Sequence, residues 1–445
     1  MICSPTSRQD LPLWLTDDAF GRRVSGTMMQ ATRTAARQLV YTLYQAGLAA
    51  VHGQYCVADY LSRNPLQQAV CLVAAGKAAS AMTHGAIGVL GRQIISGLVI
   101  TKTGHGDEQL QQDPRLHCIE SGHPLPNSNS LLAGDVLCQY LEAAPDGSEF
   151  LFLLSGGASS LVEVLPAGLQ LHQLVRANQW LMASGLAIHE INRVRQTLSQ
   201  IKGGGLLDRV QNRTATVLLI SDVAGDDPGI IGSGLLMPGD TSSITAPLPE
   251  WLVRYGVHAV NDRLLPATVH HHVIATNHQA LQAAADKGRA LGYAVTVMEQ
   301  SLAGDARVAG KAIASQLQQL PDGLYLWGGE TTVKLPDNAG VGGRNQHLAL
   351  SAAETLAPDD DIVILAAGTD GTDGPTDFAG AIVDFSTHER GQLTGLDARS
   401  CLLQADSGSY LAVCKDLLRT GPTGTNVMDM VIAGKGRCKP AEQTS

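Results

Sequence analysis

The chain has 445 residues, 44% of them hydrophobic but only 4% aromatic, with 48 glycines. Its cores must therefore be built from Ala, Leu, Val and Ile around many glycine turns, which favours a two-domain α/β enzyme over an all-β binding module. A net charge of −10 without any cluster of Lys and Arg excludes non-specific attraction to nucleic acid or to an anionic membrane.

The first thirty residues are weakly patterned and read as a loosely held arm. A helix is predicted next, over "ATRTAARQLVYTLYQAGLAAV", where Leu39, Leu43, Ala46 and Ala50 recur at helical spacing. The chain then repeats a short apolar strand, a glycine turn and a helix. "AVCLVAAGKAASAM" turns at Gly76-Lys77, "SGLVITK" ends on Lys102, "EFLFLLSGGASSL" turns at Ser155-Gly156-Gly157, and "ATVLLISDVAGDD" presents Ser221 and Asp222. Such alternation predicts a mostly parallel sheet wound on both faces, with ligands at the carboxyl ends of its strands.

A proline-rich shift at "PLPEWLVRYGVHAVNDRLLP" marks a boundary, giving domains over 30–269 and 270–436. The second opens with a βαβ unit from "HHVIATN". It continues with a hairpin around Gly328-Gly329, a helix over "GRNQHLALSAAETL", a strand in "DDIVILAAGTDG" and a last strand in "TNVMDMVIAGK".

The eight cysteines show no CxxC pair, so no zinc site or disulfide framework is expected and a reducing cytoplasm is the expected location. The N-terminal twenty residues carry acids and lack an uninterrupted apolar core, so no signal peptide is expected, and no apolar run has the length of a membrane span. His270, His271 and His272 alternate in direction on an extended segment, which argues against a shared metal.

Several turns carry chemistry. Gly76-Lys77 sets an ammonium beside a helix N-terminus, either an anion site or a surface lysine after a turn; it is no Walker A loop, because Ala78 stands where Ser or Thr would hold magnesium. "SGGASS" either cradles a phosphate or carboxylate with Ser155, Gly156, Gly157 and Ser159, or merely caps a helix. "INRVRQTLSQIKGGGL" places Arg195 and Lys202 seven apart on one predicted helix face, for substrate or for solvent. "GVGGRNQ" opens a helix with Arg344 and Asn345, and arginine grips phosphate or carboxylate bidentately. His123, held between prolines, touches substrate or serves a turn. "LAAGTDGTDGPTD" gathers Asp370, Asp373 and Asp377 after a strand, either a solvated turn or an oxygen-rich Mg²⁺ loop. Together these parts match what phosphoryl transfer needs.

The ordered motifs "AAGKAASAM", "GHPLPNSNS", "LLSGGASSL", "NRVRQTLSQIKGGGL", "SDVAGDDPGIIGSG", "GGETTV", "GGRNQ" and "DGTDGPTDFAGAIVD" resemble those of the glycerate 2-kinases with a C-terminal MOFRL domain, from about residue 35 to 435. The resemblance implies ATP- and Mg²⁺-dependent phosphorylation of D-glycerate at its 2-hydroxyl. It implies an N-terminal Rossmann-like, doubly wound domain and a smaller α/β domain, with the active site in the cleft between, and a homodimer. Carried onto matching positions, Lys77 and Arg344 become the cations that neutralise phosphoryl charge. Ser155, Gly156, Gly157 and Ser159 become a cradle, Asp222 a base or metal partner, and Glu330 with Asp370 or Asp373 neighbours of metal and nucleotide. Three positions depart from the family's frequent residues: Asn127 for Asp, His347 for Glu and Met428 for Asn. Some relatives of this kind are called hydroxypyruvate reductase, so an NAD(P)H-dependent reductase is the competing class, although no GxGxxG turn is present. A sugar-acid sensor without turnover is a third.

Overall fold

Runs such as Val70–Ala75, Glu149–Leu154 and Ala215–Ile220 are buried along their whole length, as strands covered on both faces must be. The computed structural model describes residues 18–436 apart from 187, 211–212, 241, 243, 245, 257–264 and 267, with side chains described from residue 34. In chain order the strands are β1 Val70–Ala75, β2 Ile94–Lys102, β3 Leu116–Ser121, β4 Glu149–Leu154, β5 Ala215–Ile220 and β6 Val269–Ala275, followed by β7 Val295–Val297, β8 Gly323–Gly329, β9 Ile362–Gly368, β10 Gly380–Asp384, β11 Leu417–Leu418 and β12 Asp429–Lys435.

The first six form one all-parallel sheet in the order β3-β2-β1-β4-β5-β6. The winding direction reverses between β1 and β4, which opens a crevice at their carboxyl ends. The other six form a mixed sheet, β11-β10-β9-β12-β8-β7, in which only the β7–β8 pair is parallel. The mixed α/β architecture with two sheets agrees with the expected class.

Three expectations are corrected. The strand in "HHVIATN" does not open the second unit: β6 pairs with β5 and closes the first sheet, so the sheet boundary falls after Ala275. His270, His271 and His272 lie on this edge strand, with the His272 ring against Tyr60. The "GLYLWGG" segment is a single strand between β12 and β7, not a hairpin. Finally, the long helix Asp18–Ala50 begins well before the predicted start, and the residues before it lie outside those described. It packs on β9, β12 and the helix Asn277–Ala290, so the chain's beginning covers its second sheet.

That helix is fixed by polar contacts as well as by Val40 and Leu43. The fully buried Tyr44 donates its hydroxyl to the Gly368 carbonyl at 2.6 Å, two residues before Asp370. Arg37 joins the buried carboxylates of Asp384 and Asp416, and Asp416 also receives Arg390. Removing one partner of a buried pair costs about 3–5 kcal/mol because the remaining charge stays desolvated. Arg37 is partly exposed and Arg390 compensates Asp416, so Arg37→Ala is expected to lower stability by about 2–3 kcal/mol, read as a lower urea midpoint. An unchanged midpoint would show that the helix is held by apolar packing alone.

Candidate active site

The turns after β1 and β4 meet at the crevice and are stitched together. The Lys77 N–H donates to the Gly156 carbonyl and the Ala78 N–H to Ser155 Oγ, both at 3.0 Å. Gly76 has φ 132, and a Cβ there would lie 2.1 Å from Ser155 Oγ, so no other residue fits. Ser155 is fully buried, and its Oγ accepts the N–H that opens the helix Ala79–Leu90. Gly156 also needs its missing side chain: a Cβ would come within 2.1 Å of Asp222 Oδ2 and 2.0 Å of Asn426 Nδ2. Asp222, at the end of β5, thereby reaches the same floor.

Facing these turns are the ends of β8, β9 and β12. Lys77 Nζ crosses from the first sheet's edge to Asp370 Oδ2 at 2.6 Å. The other Asp370 oxygen accepts the Thr372 N–H at 2.9 Å. Burial pushes the Asp370 carboxyl up, but Lys77, the Thr372 N–H and Arg344 together outweigh it and hold the group at about 2. Arg344, first residue of the helix Arg344–Thr355, grips both oxygens of Asp429 at 2.6 and 2.9 Å and reaches Glu330 Oε1 at 2.6 Å. Burial lowers the Arg344 pKa, but Asp429, Glu330 and Asp373 together raise it by more, so the guanidinium stays charged. Glu330 lies at the open side of the seam, its side chain 43% exposed, and partial desolvation with Asp429 and Asp222 nearby pushes it up to about 7 against the pull of Arg344. Asp222 is raised by burial and by Asp370, while Lys77 opposes the shift.

Lys77, Arg344, Asp222, Glu330 and Asp370 are thus brought together. Asp373 is not placed to hold a metal. Its oxygens receive the Asn345 and Gln346 N–H groups at 3.1 and 2.8 Å, so it caps the helix that carries Arg344, and Asn345 is buried beside it. Burial pushes Asp373 up to about 7 despite these bonds. Lys202 is corrected as well. The helix ends at Thr197, and Lys202 lies beyond it in a buried ion pair with Glu163. Among the described residues no group of three or more His, Cys, Asp or Glu could alone hold a metal ion.

Beside Lys77 a cavity of about 230 Å³ is lined by His123, Gly157, Ser159, Asn178, Asn192, Arg195, Asp222, Ser233 and Glu330, among others. Burial and the nearby Lys77 and Lys102 push His123 down to about 3, so its imidazole is neutral. Ser233 holds a left-handed φ of 59, which costs a non-glycine residue about 1–2 kcal/mol. It is kept there by Ser159 Oγ at 2.8 Å, by Asn192 Oδ1 at 3.3 Å and by its carbonyl, which accepts the Gly203 N–H at 3.1 Å. Asp429, Asn426, Asn178, Asn192 and Ser233 escaped the sequence reading. For Asp429 the signal was an acid opening an otherwise apolar strand in "VMDMVIAGK".

The family departures have local explanations. Asn127 caps the helix Ser128–Glu142 through the Ser130 N–H, a task Asp performs equally well. His347 is buried and shares a hydrogen bond with Ser407 at 2.9 Å. Met428 sits at φ 66, where Asn is tolerated and Met is strained.

A family model described as a domain of unknown function (DUF4147) matches residues 39–272, and the MOFRL family model matches residues 323–429. A D-glycerate 2-kinase of Thermotoga maritima is 36% identical, over 89% of this chain and 97% of its own length. A crystal structure of glycerate kinase (EC 2.7.1.31) from Thermotoga maritima superposes with a TM-score of 0.77 at 34% identity, covering 91% of this chain and all of that one. A protein of Agrobacterium vitis called a putative hydroxypyruvate reductase is also 36% identical, over 81% of this chain and 97% of its own. Two family models in order and full-length relatives at this identity place the chain in the glycerate 2-kinase family, a DUF4147 domain followed by a MOFRL domain.

Proposed function

We propose that this protein transfers the γ-phosphoryl group of ATP to the 2-hydroxyl of D-glycerate, yielding 2-phosphoglycerate and ADP. The observation that carries the reading is the Lys77–Asp370 pair, which sets a fixed cation from one sheet against the acidic loop of the other. Arg344 adds a second cation, held by Asp429 and Glu330. In such a transfer the bond from the γ-phosphorus to the bridging oxygen breaks as the bond to the 2-oxygen forms. Charge then spreads over phosphoryl oxygens that Lys77 and Arg344 neutralise. Asp222, at the cavity wall, accepts the hydroxyl proton.

Glu330 Oε2 lies outside its ion pair, Asp370 Oδ1 accepts only the Thr372 N–H and keeps a lone pair, and Mg²⁺ asks for only one or two carboxylates when phosphates and water complete its shell. That donor set fits, and these two residues would hold the ion, whose charge offsets that of the nucleotide phosphates. Gly157 and Ser159 border the same cavity and are left for substrate, with Asn345 supporting Arg344 from behind.

The reductase name of the Agrobacterium relative finds no counterpart in the β1 turn, which reads Gly76-Lys77-Ala78. ADP formation from ATP, with and without D-glycerate and Mg²⁺, tests the proposal beside an NADH–hydroxypyruvate assay. NADH oxidation without glycerate-dependent ADP would replace the kinase by the reductase. A cytosolic location and a homodimer belong to the same reading. The described cysteines are all free, as a reducing compartment allows, and among the described residues no helix is long and apolar enough to cross a membrane. Light scattering of the purified chain at monomer mass would remove the dimer.

Lys77→Met should lower turnover about 10³-fold, the scale of losing a preorganised charge. It should also change acid stability, with a sign fixed by Asp370. A carboxyl held at about 2 stabilises the fold above the ordinary aspartate pKa, and that stability is lost as pH falls from about 4 to about 2. Without Lys77 the Asp370 pKa rises, so the variant should be less stable at neutral pH and should no longer show the Asp370 loss between about pH 4 and about 2. Asp222 has a raised pKa and must be ionised to act, so kcat should fall on the acid side above the ordinary aspartate range. Asp222→Asn should cut kcat about 10²–10⁴-fold and abolish that limb. An unchanged pH profile in the variant would reassign the proton acceptor.

A further inference from the structure

The cavity beside Asp222 is small: its 230 Å³ falls below the roughly 300–1,000 Å³ of pockets for drug-sized ligands. A small polar acceptor fits it. One wall is the Gly157–Ser159 turn and Asp222, on the rigid edge of the first sheet. The opposite wall comes from two helices, Leu171–Ala183 and Ile188–Thr197, which pack through a cluster of their own around Leu174, Leu181, Val194 and Leu198. Arg195 projects from that lobe into the lining.

The state of Arg195 is unusual. Its Nε donates to Asn178 Oδ1 at 3.1 Å, and among the described residues no carboxylate pairs with it. Lys77 and Arg344, by contrast, each face an acid. A guanidinium withdrawn from water without a counter-ion is costly, and the cost is relieved when an anion enters. Burial accordingly lowers its pKa. The planar fork keeps its terminal N–H donors for a ligand, in the geometry that suits a carboxylate. Asp222 and Glu330 line the same cavity, so an anionic acceptor would be repelled from it unless a cation received the anionic end.

Building on the kinase reading above, we infer that this cavity selects 2-hydroxy carboxylates: Arg195, oriented by Asn178, receives the carboxylate, which leaves the adjacent hydroxyl toward Asp222 and Lys77. Arg195 is thus a specificity-determining residue, and the helical lobe that carries it is the part of the molecule that reads the acceptor. Asn192 and Ser233 fix the cavity wall between the lobe and the Ser159 turn.

The test compares wild type, Arg195→Met and Arg195→Lys on D-glycerate and on its neutral amide, glyceramide, with Mg-ATP. The expected result is a fall of about 100-fold in the preference of kcat/KM for glycerate over glyceramide in Arg195→Met, with partial recovery in Arg195→Lys. Thermal unfolding of the variants checks that they fold. A purely structural role would lower both substrates alike, and a preference within about threefold of wild type would overturn the inference. Calorimetric binding of D-glycerate without nucleotide separates this inference from the kinase reading. Glycerate binding by wild type and its loss in Arg195→Met would uphold Arg195 as the carboxylate reader even if no ADP forms. Equal binding by both proteins, or none by wild type, would refute it.

Discussion

The rest of the site depends on the ion pair from Lys77 to Asp370 across the seam of two sheets. Each sheet has an apolar interior and presents its charges at one edge, so charges meet where the edges face each other. Neither partner could stay charged and largely buried alone, because desolvation of a lone ion costs more than local packing returns. The pair therefore links catalytic geometry to the relation between the domains. Asp370 is in turn fixed from behind: Tyr44 holds the Gly368 carbonyl, and the Thr369 N–H bonds the Met428 carbonyl at 3.0 Å. A helix from the start of the chain thus helps to set a carboxylate in the second sheet.

Arg344 follows the same logic within the second sheet. Asp429 sits opposite Gly329 on one side and Gly368 on the other, so it lies between the ends of β8 and β9. Its backbone carbonyl accepts Asn277 Nδ2 at 3.0 Å. A bidentate pair on so rigid a base leaves the guanidinium little freedom, which suits a group that must meet developing charge without reorganising. Asp373 contributes indirectly, by capping the helix that begins at Arg344. The acidic loop thus has divided labour: Asp370 answers a cation across the seam, while Asp373 holds a helix in place.

Much of the first sheet was legible because its central strands are buried on both faces and read as unbroken apolar runs. β3 was missed because only Ile119 and Ser121 of its six residues are buried, so an edge strand left almost no pattern. β10, five residues beginning Gly-Ala, was hidden behind the acidic loop. β6 was seen as a strand but given to the wrong sheet, since periodicity cannot say which neighbour an edge strand joins. The cations Lys77 and Arg344 were legible from glycine turns before helices. Asp373 misled because a carboxylate that caps a distant helix looks, in sequence, like any other loop acid. Lys202 misled because the helix stops five residues earlier, which removes the shared face.

The residues that sequence reasoning missed at the cavity have a common cause. Asn178 and Asn192 belong to no glycine-rich turn after a strand; a helical lobe packing over the sheet edge brings them to Ser233, which lies between Gly232 and Gly234 in the segment after β5. Such a lobe has a small core of its own, with Trp180 edge-on to Trp251 of the short helix Glu250–Val253. Being separate from both sheets, it is free to differ in its lining without disturbing Lys77, Arg344 or their acids. On the proposed reading, chemistry resides on strand ends, where geometry is stiff, and acceptor choice on helices, where one side chain is exchanged at little cost to the fold. The strained φ of Ser233 marks the join between the two, because only contacts from both sides hold it there.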